Sequence, residues 1–237
     1  MSLREHSIYD CIINNARNYS DEIALVSGDL RLTYAEVPSH VNSLARGLLN
    51  TGFEKGDRIG VLLNNCAEYA LLLAACTRIG LITVCLNTRT SSDEMRKILE
   101  QAKPKALIFQ KSYEQQADEL RDLHIHQQLY CIDEASILSS SFDQLLDEDP
   151  SALTEPQPAI DDGWLIIPTA AVDGIPKGAL LSQRNVMASA DVHLHHFGRE
   201  AIKGHLVALP IFHVMGLTSA WATFISGGKN VLLKQFD

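Results

Sequence analysis

Two stretches of this 237-residue chain concentrate residue types that could do chemistry. The first, Thr169-Ala-Ala-Val-Asp-Gly-Ile-Pro-Lys-Gly178, lies between two apolar segments, Trp164 to Ile167 and Ala179 to Leu181. Small residues let a backbone close around an anion, so its N–H groups and one cation, Lys177, could wrap phosphates. The pattern matches neither Gly-x4-Gly-Lys-Ser/Thr nor Gly-x-Gly-x-x-Gly, and a tight hairpin between strands accounts for the same residues. The second stretch is Leu209-Pro-Ile-Phe-His-Val-Met-Gly216. A His after a Pro-bounded apolar strand can line a pocket, move a proton or sit packed. Taken alone, His213 is best accounted for by packing.

Other candidates are plainer. His193, His195 and His196 are clustered, and the first and last share a helical face at i, i+3 spacing. A metal site there would need further ligands that the sequence does not offer, so no metal ligand is assigned. His124 and His126 read as surface loop, and Asp57-Arg58 and Asp147 to Asp149 as solvated charge. Cys11, Cys66, Cys76, Cys85 and Cys131 are odd in number, scattered and mostly inside apolar runs. They read as buried, reduced thiols of a cytoplasmic protein, not as a disulfide framework or a Cys-x-x-Cys metal site.

Positioning these residues calls for a layered scaffold. Ile23 to Val26 and Leu30 to Tyr34 flank Ser27-Gly28-Asp29, a hairpin signal. Thr33-x-x-Glu36 predicts a helix start near Thr33, with Val37, Val41, Leu44 and Leu48 on one face and a stop at Gly52. A strand over Arg58 to Leu63 precedes an apolar helix from Ala67 to Arg78, ending at Gly80. Leu81 to Leu86 is strand-like, Ser91-x-x-Glu94 caps a helix that stops before Pro104, and Ala106 to Phe109 and Leu129 to Ile132 are strands. After the phosphate-type loop come a helix from about Arg184, a strand at Leu206 to Ala208, a helix over Leu217 to Ile225 and a strand at Asn230 to Leu233. Short strands alternating with helices predict an α/β fold, a mostly parallel sheet flanked by helices. The acidic, Pro- and Ser-bearing residues 133–162 read as a linker or surface excursion, dividing a first subdomain (1–162) from the start of a second (163–237).

Composition narrows the function classes. With 29 acidic against 20 basic residues the net charge is −9, which argues against a nucleic-acid or anionic-membrane binder. At 46% hydrophobic residues a sizeable core is available. No run approaches the ~18 uncharged apolar residues of a membrane span; Ala70 to Leu86 is broken by Arg78 and Gly80. Met-Ser-Leu-Arg-Glu-His at the start has no apolar secretory core.

Order ties the pieces together. Leu32-Thr-Tyr-Ala-Glu36, Gly56-Asp-Arg-Ile-Gly-Val61, Arg78-Ile-Gly80 leading to Leu86-Asn87, Pro176-Lys-Gly178 with Ser182-x-Arg-Asn185, and Pro210-x-Phe-His213-x-x-Gly216 follow one another. In this order they closely resemble the amino-terminal part of the adenylate-forming, AMP-binding superfamily of acyl-CoA synthetases, firefly-type luciferases and peptide-synthetase adenylation domains. The resemblance spans essentially the whole chain. It implies an AMP-forming acyl-CoA synthetase: ATP and a carboxylic acid give an acyl-adenylate and pyrophosphate, and coenzyme A then displaces AMP to form a thioester.

The resemblance also implies site residues. The family's loop reads Thr-Ser-Gly-Thr-Thr-Gly-x-Pro-Lys-Gly; Thr169, Gly174, Pro176, Lys177 and Gly178 match, while Ala170, Ala171, Val172 and Asp173 depart from it. Three hydroxyls and a glycine are lost, and a carboxylate stands near the phosphates. Like charges ~4 Å apart repel by about 1 kcal/mol in water and several times more at an effective dielectric of ~20. ATP handling is therefore expected to be weakened, and a non-catalytic acyl- or CoA-binding homologue is the rival reading. His213 is implied to be catalytic, beside the acyl pocket and the adenylate, with Phe212, Gly216 and Leu217 lining that pocket. Amino-acid-activating relatives tend to place an Asp there, so His213 favours a fatty or aryl acid. The Tyr-Gly-x-Thr-Glu segment that serves adenine and Mg²⁺, the ribose-binding Asp, the hinge and the small domain bearing the catalytic Lys are absent from these residues. The chain is accordingly expected to be an amino-terminal portion, inactive in adenylate formation by itself.

Overall fold

The segments Arg58 to Leu62, Ile82 to Cys85 and Ala106 to Phe109 are too short for helices and largely apolar, as inner parallel strands covered on both faces must be. The computed structural model of the protein describes residues 5–123, 128–134, 137–169, 176–198 and 202–234. In chain order its elements are α1 (Ile8–Asn18), β1 (Ile23–Ser27), β2 (Leu30–Thr33), α2 (Val37–Asn50), β3 (Arg58–Leu62), α3 (Ala67–Ile79), β4 (Ile82–Cys85), α4 (Ser92–Ala102), β5 (Ala106–Phe109) and α5 (Glu114–Glu119). There follow β6 (Leu129–Cys131), β7 (Ser140–Ser141), β8 (Gly163–Pro168), β9 (Gly178–Ser182), α6 (Gln183–Phe197), β10 (Gly204–Val207), α7 (Val214–Ile225) and β11 (Lys229–Leu232).

The strands form two sheets, a larger one ordered β7-β6-β5-β3-β4-β8-β9 and a smaller one ordered β10-β11-β1-β2. Among the described residues, β1–β2 and β8–β9 pair antiparallel and the other strand pairs are parallel. Side chains of the larger sheet alternate between two cores, as the two-residue strand period requires. Ile59, Val61, Ala106 and Ile108 join the core that includes α1, α2, α3, α6 and α7. Leu62, Val84, Leu107 and Phe109 join the core covered by α4 and α5. The predicted α/β class and almost every predicted element are present.

Three differences carry information. The helix after β2 begins at Val37, not near Thr33. Glu36 does bond back to Thr33 N–H at 2.7 Å, but this closes a turn ahead of the helix. Tyr34 N–H is held by Glu22 O, and its hydroxyl lies 2.8 Å from Phe224 O and 2.7 Å from Gly228 O, so residue 34 is anchored in the core ahead of the helix. Pro38 in the first helical turn suits the later start. Second, residue 162 does not coincide with a sheet boundary: β8 and β9 extend the larger sheet, and β11 pairs with β1. Third, the stretch from Ser140 to Asp162 lies along α2 and α3. Ser43 donates to Asp147 O at 2.6 Å, Asn42 to Pro150 O, and buried Arg78 to Leu153 O and Glu155 O at 2.7 and 2.8 Å. Asp149, read as solvated charge, pairs with Arg46 at 3.3 Å.

Candidate functional site

Residues just past the carboxyl ends of β3, β4, β8, β10 and β11 line two adjoining hollows, and open parallel sheets bind ligands outside the carboxyl ends of their strands. A cavity of about 290 Å³ lies there, walled by Asn87 and Thr90 after β4, Glu94, Met95 and Ile98 of α4, Pro168, Thr169 and Pro176 at the β8–β9 hairpin, and Phe212 and His213 before α7. The two stretches singled out by residue type therefore meet at one hollow.

The two legs that flank the phosphate-type loop form a hairpin. Pro168 pairs with Gly178, and Thr169 N–H and Oγ1 reach Lys177 O at 2.7 and 3.1 Å, pinning its two legs together. A Cβ at Gly178 would lie 2.5 Å from Ile166 Cγ2, so the second leg needs a residue without one. Gln101 Nε2 of α4 donates to Pro176 O at 3.2 Å and ties that leg to the cavity wall. Pro176 is buried and Lys177 exposed. Ala170, Ala171, Val172, Asp173 and Gly174 lie outside the described residues, as do His124 and His126.

His213 caps α7 rather than following a strand directly. Its Nδ1 accepts from Met215 N–H at 3.4 Å, an arrangement that assigns the proton of the neutral ring to Nε2. The positive end of the α7 dipole lies at the same wall and favours an anion there. Glu94, the carboxylate on the opposite wall, accepts from Ser91 N–H at 3.1 Å and so serves its own helix start.

Phe212 and His213 reach the cavity, whereas Gly216 and Leu217 turn inward. Leu217 faces a separate apolar cavity of about 60 Å³ shared with Ile12, Leu25, Trp221 and Phe224. Trp221 packs edge-on against Trp164, whose indole donates to Leu73 O at 3.1 Å. On the outward side of the first α7 turn stand Val214 and Met215, both exposed and neither singled out from sequence.

Phe212 also walls a second hollow of about 340 Å³, lined by Asn64, Asn65, Arg89, Tyr113, Pro210 and Lys234 among others. The two cations, Arg89 and Lys234, suit a polar, anionic group. Of these lining residues, Phe212 and Pro210 belong to a motif legible in the sequence, whereas Asn64, Asn65, Arg89, Tyr113 and Lys234 carry no such signal. His193 Nδ1 is bonded to Ser189 O at 2.9 Å, and among the described residues no three His, Cys, Asp or Glu side chains could hold a metal ion. No helix among them is long and apolar enough to cross a membrane.

An α/β fold with a hollow at its strand ends, between a small-residue loop and a helix-capping His, is the architecture of a small-molecule site. The chain belongs to the family described as AMP-binding enzyme, which matches residues 13–237. It is 32% identical over 212 residues to an indoleacetate–CoA ligase of Aromatoleum aromaticum, covering 87% of this chain and 41% of that protein. The fold matches that of a Rhodopseudomonas palustris protein provisionally assigned as a long-chain-fatty-acid CoA ligase, with TM-score 0.91 and 29% identity over all of this chain and 59% of the other. It also matches the o-succinylbenzoate CoA synthetase of Bacillus subtilis bound to its acyl-adenylate intermediate, with TM-score 0.79 and 26% identity over 96% of this chain and 56% of the other. The chain thus spans roughly two-fifths of the length of curated relatives, 44% of a Bacillus pumilus 2-succinylbenzoate–CoA ligase and 41% of the indoleacetate enzyme.

Proposed function

We propose that the chain forms the acid- and phosphate-facing wall of an AMP-forming acid–thiol ligase, acting on a fatty or aryl carboxylic acid with ATP and then coenzyme A. The reading is carried by one observation: both legs of the phosphate-type loop and the Phe212-His213 pair line a single cavity. Relatives that are CoA ligases for aryl and fatty acids support it.

In this mechanism the acid enters beside Phe212, and His213 Nε2–H and the N-terminus of α7 hold its carboxylate. The carboxylate oxygen attacks the α-phosphorus of ATP and pyrophosphate leaves. The Lys177 ammonium offsets the charge on the phosphates as it redistributes, the type of electrostatic work on which such transfers depend. The thiolate of coenzyme A then attacks the acyl carbon and AMP departs. Arg89 and Lys234 in the adjoining hollow suit phosphates of that second substrate. Residues 163–237 would supply the loop and the His213 motif, and residues 1–162 the opposing α4 wall. Mg²⁺ accompanies the nucleotide in the resemblance; no three His, Cys, Asp or Glu side chains among the described residues are grouped to hold a metal ion, and no step is assigned to it. Five free, buried thiols support a reducing, cytoplasmic setting.

The test is ATP–pyrophosphate exchange by the product of the whole gene, with and without aryl and fatty acids. Acid-dependent exchange is expected. Acid or CoA binding without exchange would instead favour the non-catalytic homologue that the Ala170 to Asp173 departures raise.

A further inference from the structure

Asn65 lies in the turn between β3 and α3, in the larger sheet, yet its side chain serves a segment that leaves the smaller one. It is 5% exposed. Its Nδ2 donates to Val207 O at 3.0 Å and to Leu209 O at 3.1 Å, and its Oδ1 accepts from Ile211 N–H at 2.9 Å. All three bonds therefore fall on the last residue of β10 and the few residues between it and Phe212. That segment has little internal support: Pro210 has no N–H, and the N–H groups of Ala208 and His213 reach only Leu206 O and Pro210 O. The turn bearing Asn65 is itself fixed, since Asn64 N–H donates to Gln110 Oε1 and Tyr113 donates to Asn64 Oδ1, both at 2.8 Å.

We propose that Asn65 is a positioning residue for the reaction, setting the Val207–Ile211 segment and through it the place of Phe212 and His213 against the phosphate-type loop. The loop hangs from the larger sheet and His213 follows the smaller one, so their separation depends on how the sheets are joined here. A buried amide using both its donor and acceptor atoms on one backbone segment is a short, directional joint, and displacement of a reacting group by about 1 Å can cost on the order of 100-fold in rate. The inference rests on reading the cavity as the meeting place of acid and ATP.

The test is a double-mutant cycle in the product of the whole gene. Asn65→Ala is expected to lower kcat/KM for the acid by about 10- to 100-fold while ATP affinity changes less than about threefold. In a His213→Ala background the same change should cost less than about threefold, because no imidazole remains to be placed. Asn65→Asp keeps the shape and the acceptor for Ile211 N–H but turns an oxygen toward two carbonyls; it should behave like Asn65→Ala and serves if that variant does not fold. Additive effects of the two substitutions, or equal losses of ATP and acid affinity, would overturn the proposal. Absence of acid-dependent exchange in the unsubstituted protein would instead remove the functional reading. The joint is then read by NMR of this chain: Asn65→Asp should shift the His213 ring nitrogens and the Met215 amide while leaving the Thr169 and Lys177 amides in place. Unmoved His213 signals would overturn it.

Discussion

Gly216→Ala places a methyl group where the preceding loop already lies. A Cβ at Gly216 would stand 2.3 Å from Pro210 O and 2.8 Å from both Leu209 O and Pro210 C. All three are backbone atoms, so no rotamer relieves the overlap. Reaching even a 3.0 Å contact requires the loop and α7 to part by 3.0 − 2.3, or about 0.7 Å. Alanine gains about 1 kcal/mol over glycine inside a helix, while overpacking a fitted interior costs about 1–3 kcal/mol. The net loss of stability is roughly 0–2 kcal/mol, and at about 2–4 °C per kcal/mol the fall in Tm stays below about 8 °C. The effect on rate is larger, because the parting moves Phe212 and His213 away from the phosphate-type loop. Calorimetry and acid-dependent pyrophosphate exchange should show a small Tm loss beside a fall of about 30- to 100-fold in kcat/KM for the acid. A raised Tm with unchanged exchange would mean that the loop does not rest on α7 here, and the geometric reasoning would fail.

Three further perturbations are informative. At Gly47 a Cβ would lie 1.9 Å from Leu145 O, so Gly47→Ala should lift the acidic stretch off α2, lowering the urea midpoint and speeding proteolysis between residues 140 and 150. Restoring Ser-Gly-Thr-Thr at Ala170 to Asp173 should lower the KM for ATP; unchanged ATP kinetics would remove the view of this loop as a weakened cradle. Burial holds the His205 imidazole below its ordinary value, opposed by its bond to Asn230 and aided by His193. The neutral ring is thus favoured in the folded state. Its stabilising contribution is complete above the unfolded value of about 6.5 and is lost as pH falls through the lower folded one. Urea midpoints should fall less between pH 7 and 5 for His205→Gln than for the unsubstituted protein.

What could be read from the sequence was local. Ser91-x-x-Glu94 and Ser182-x-x-Asn185 both form reciprocal caps, and Gly80, at φ +75°, ends α3 as expected. Ser7-x-x-Asp10 caps α1 in the same way and went unused, although the signal was equally plain. Thr33-x-x-Glu36 misled because the same two side chains can close a turn as well as start a helix, and only the burial of Tyr34 decides between them. Pairing of β1 with β11 joins Leu25 to Asn230, and no local pattern encodes a partner so distant in the chain. The acidic stretch near residue 147 looked like solvent-facing linker because composition does not reveal that its backbone carbonyls receive Ser43, Asn42 and Arg78. The hollow beside His213 was legible as two motifs but not as a shape. Asn65 in particular looks like an ordinary turn residue until the segment it grips is folded beside it, and the inward direction of Leu217 depends on where α7 begins.

The decisive point is whether a carboxylic acid joined to a nucleotide sits between Thr169 and His213. The most direct measurement is a crystal structure, or amide and imidazole shift mapping, with a non-hydrolysable acyl-adenylate analogue bound. The acyl–phosphate junction is predicted to lie within the cavity of about 290 Å³, in contact with His213 and the 169–178 loop. Saturable binding that leaves both segments untouched and engages another surface would contradict it.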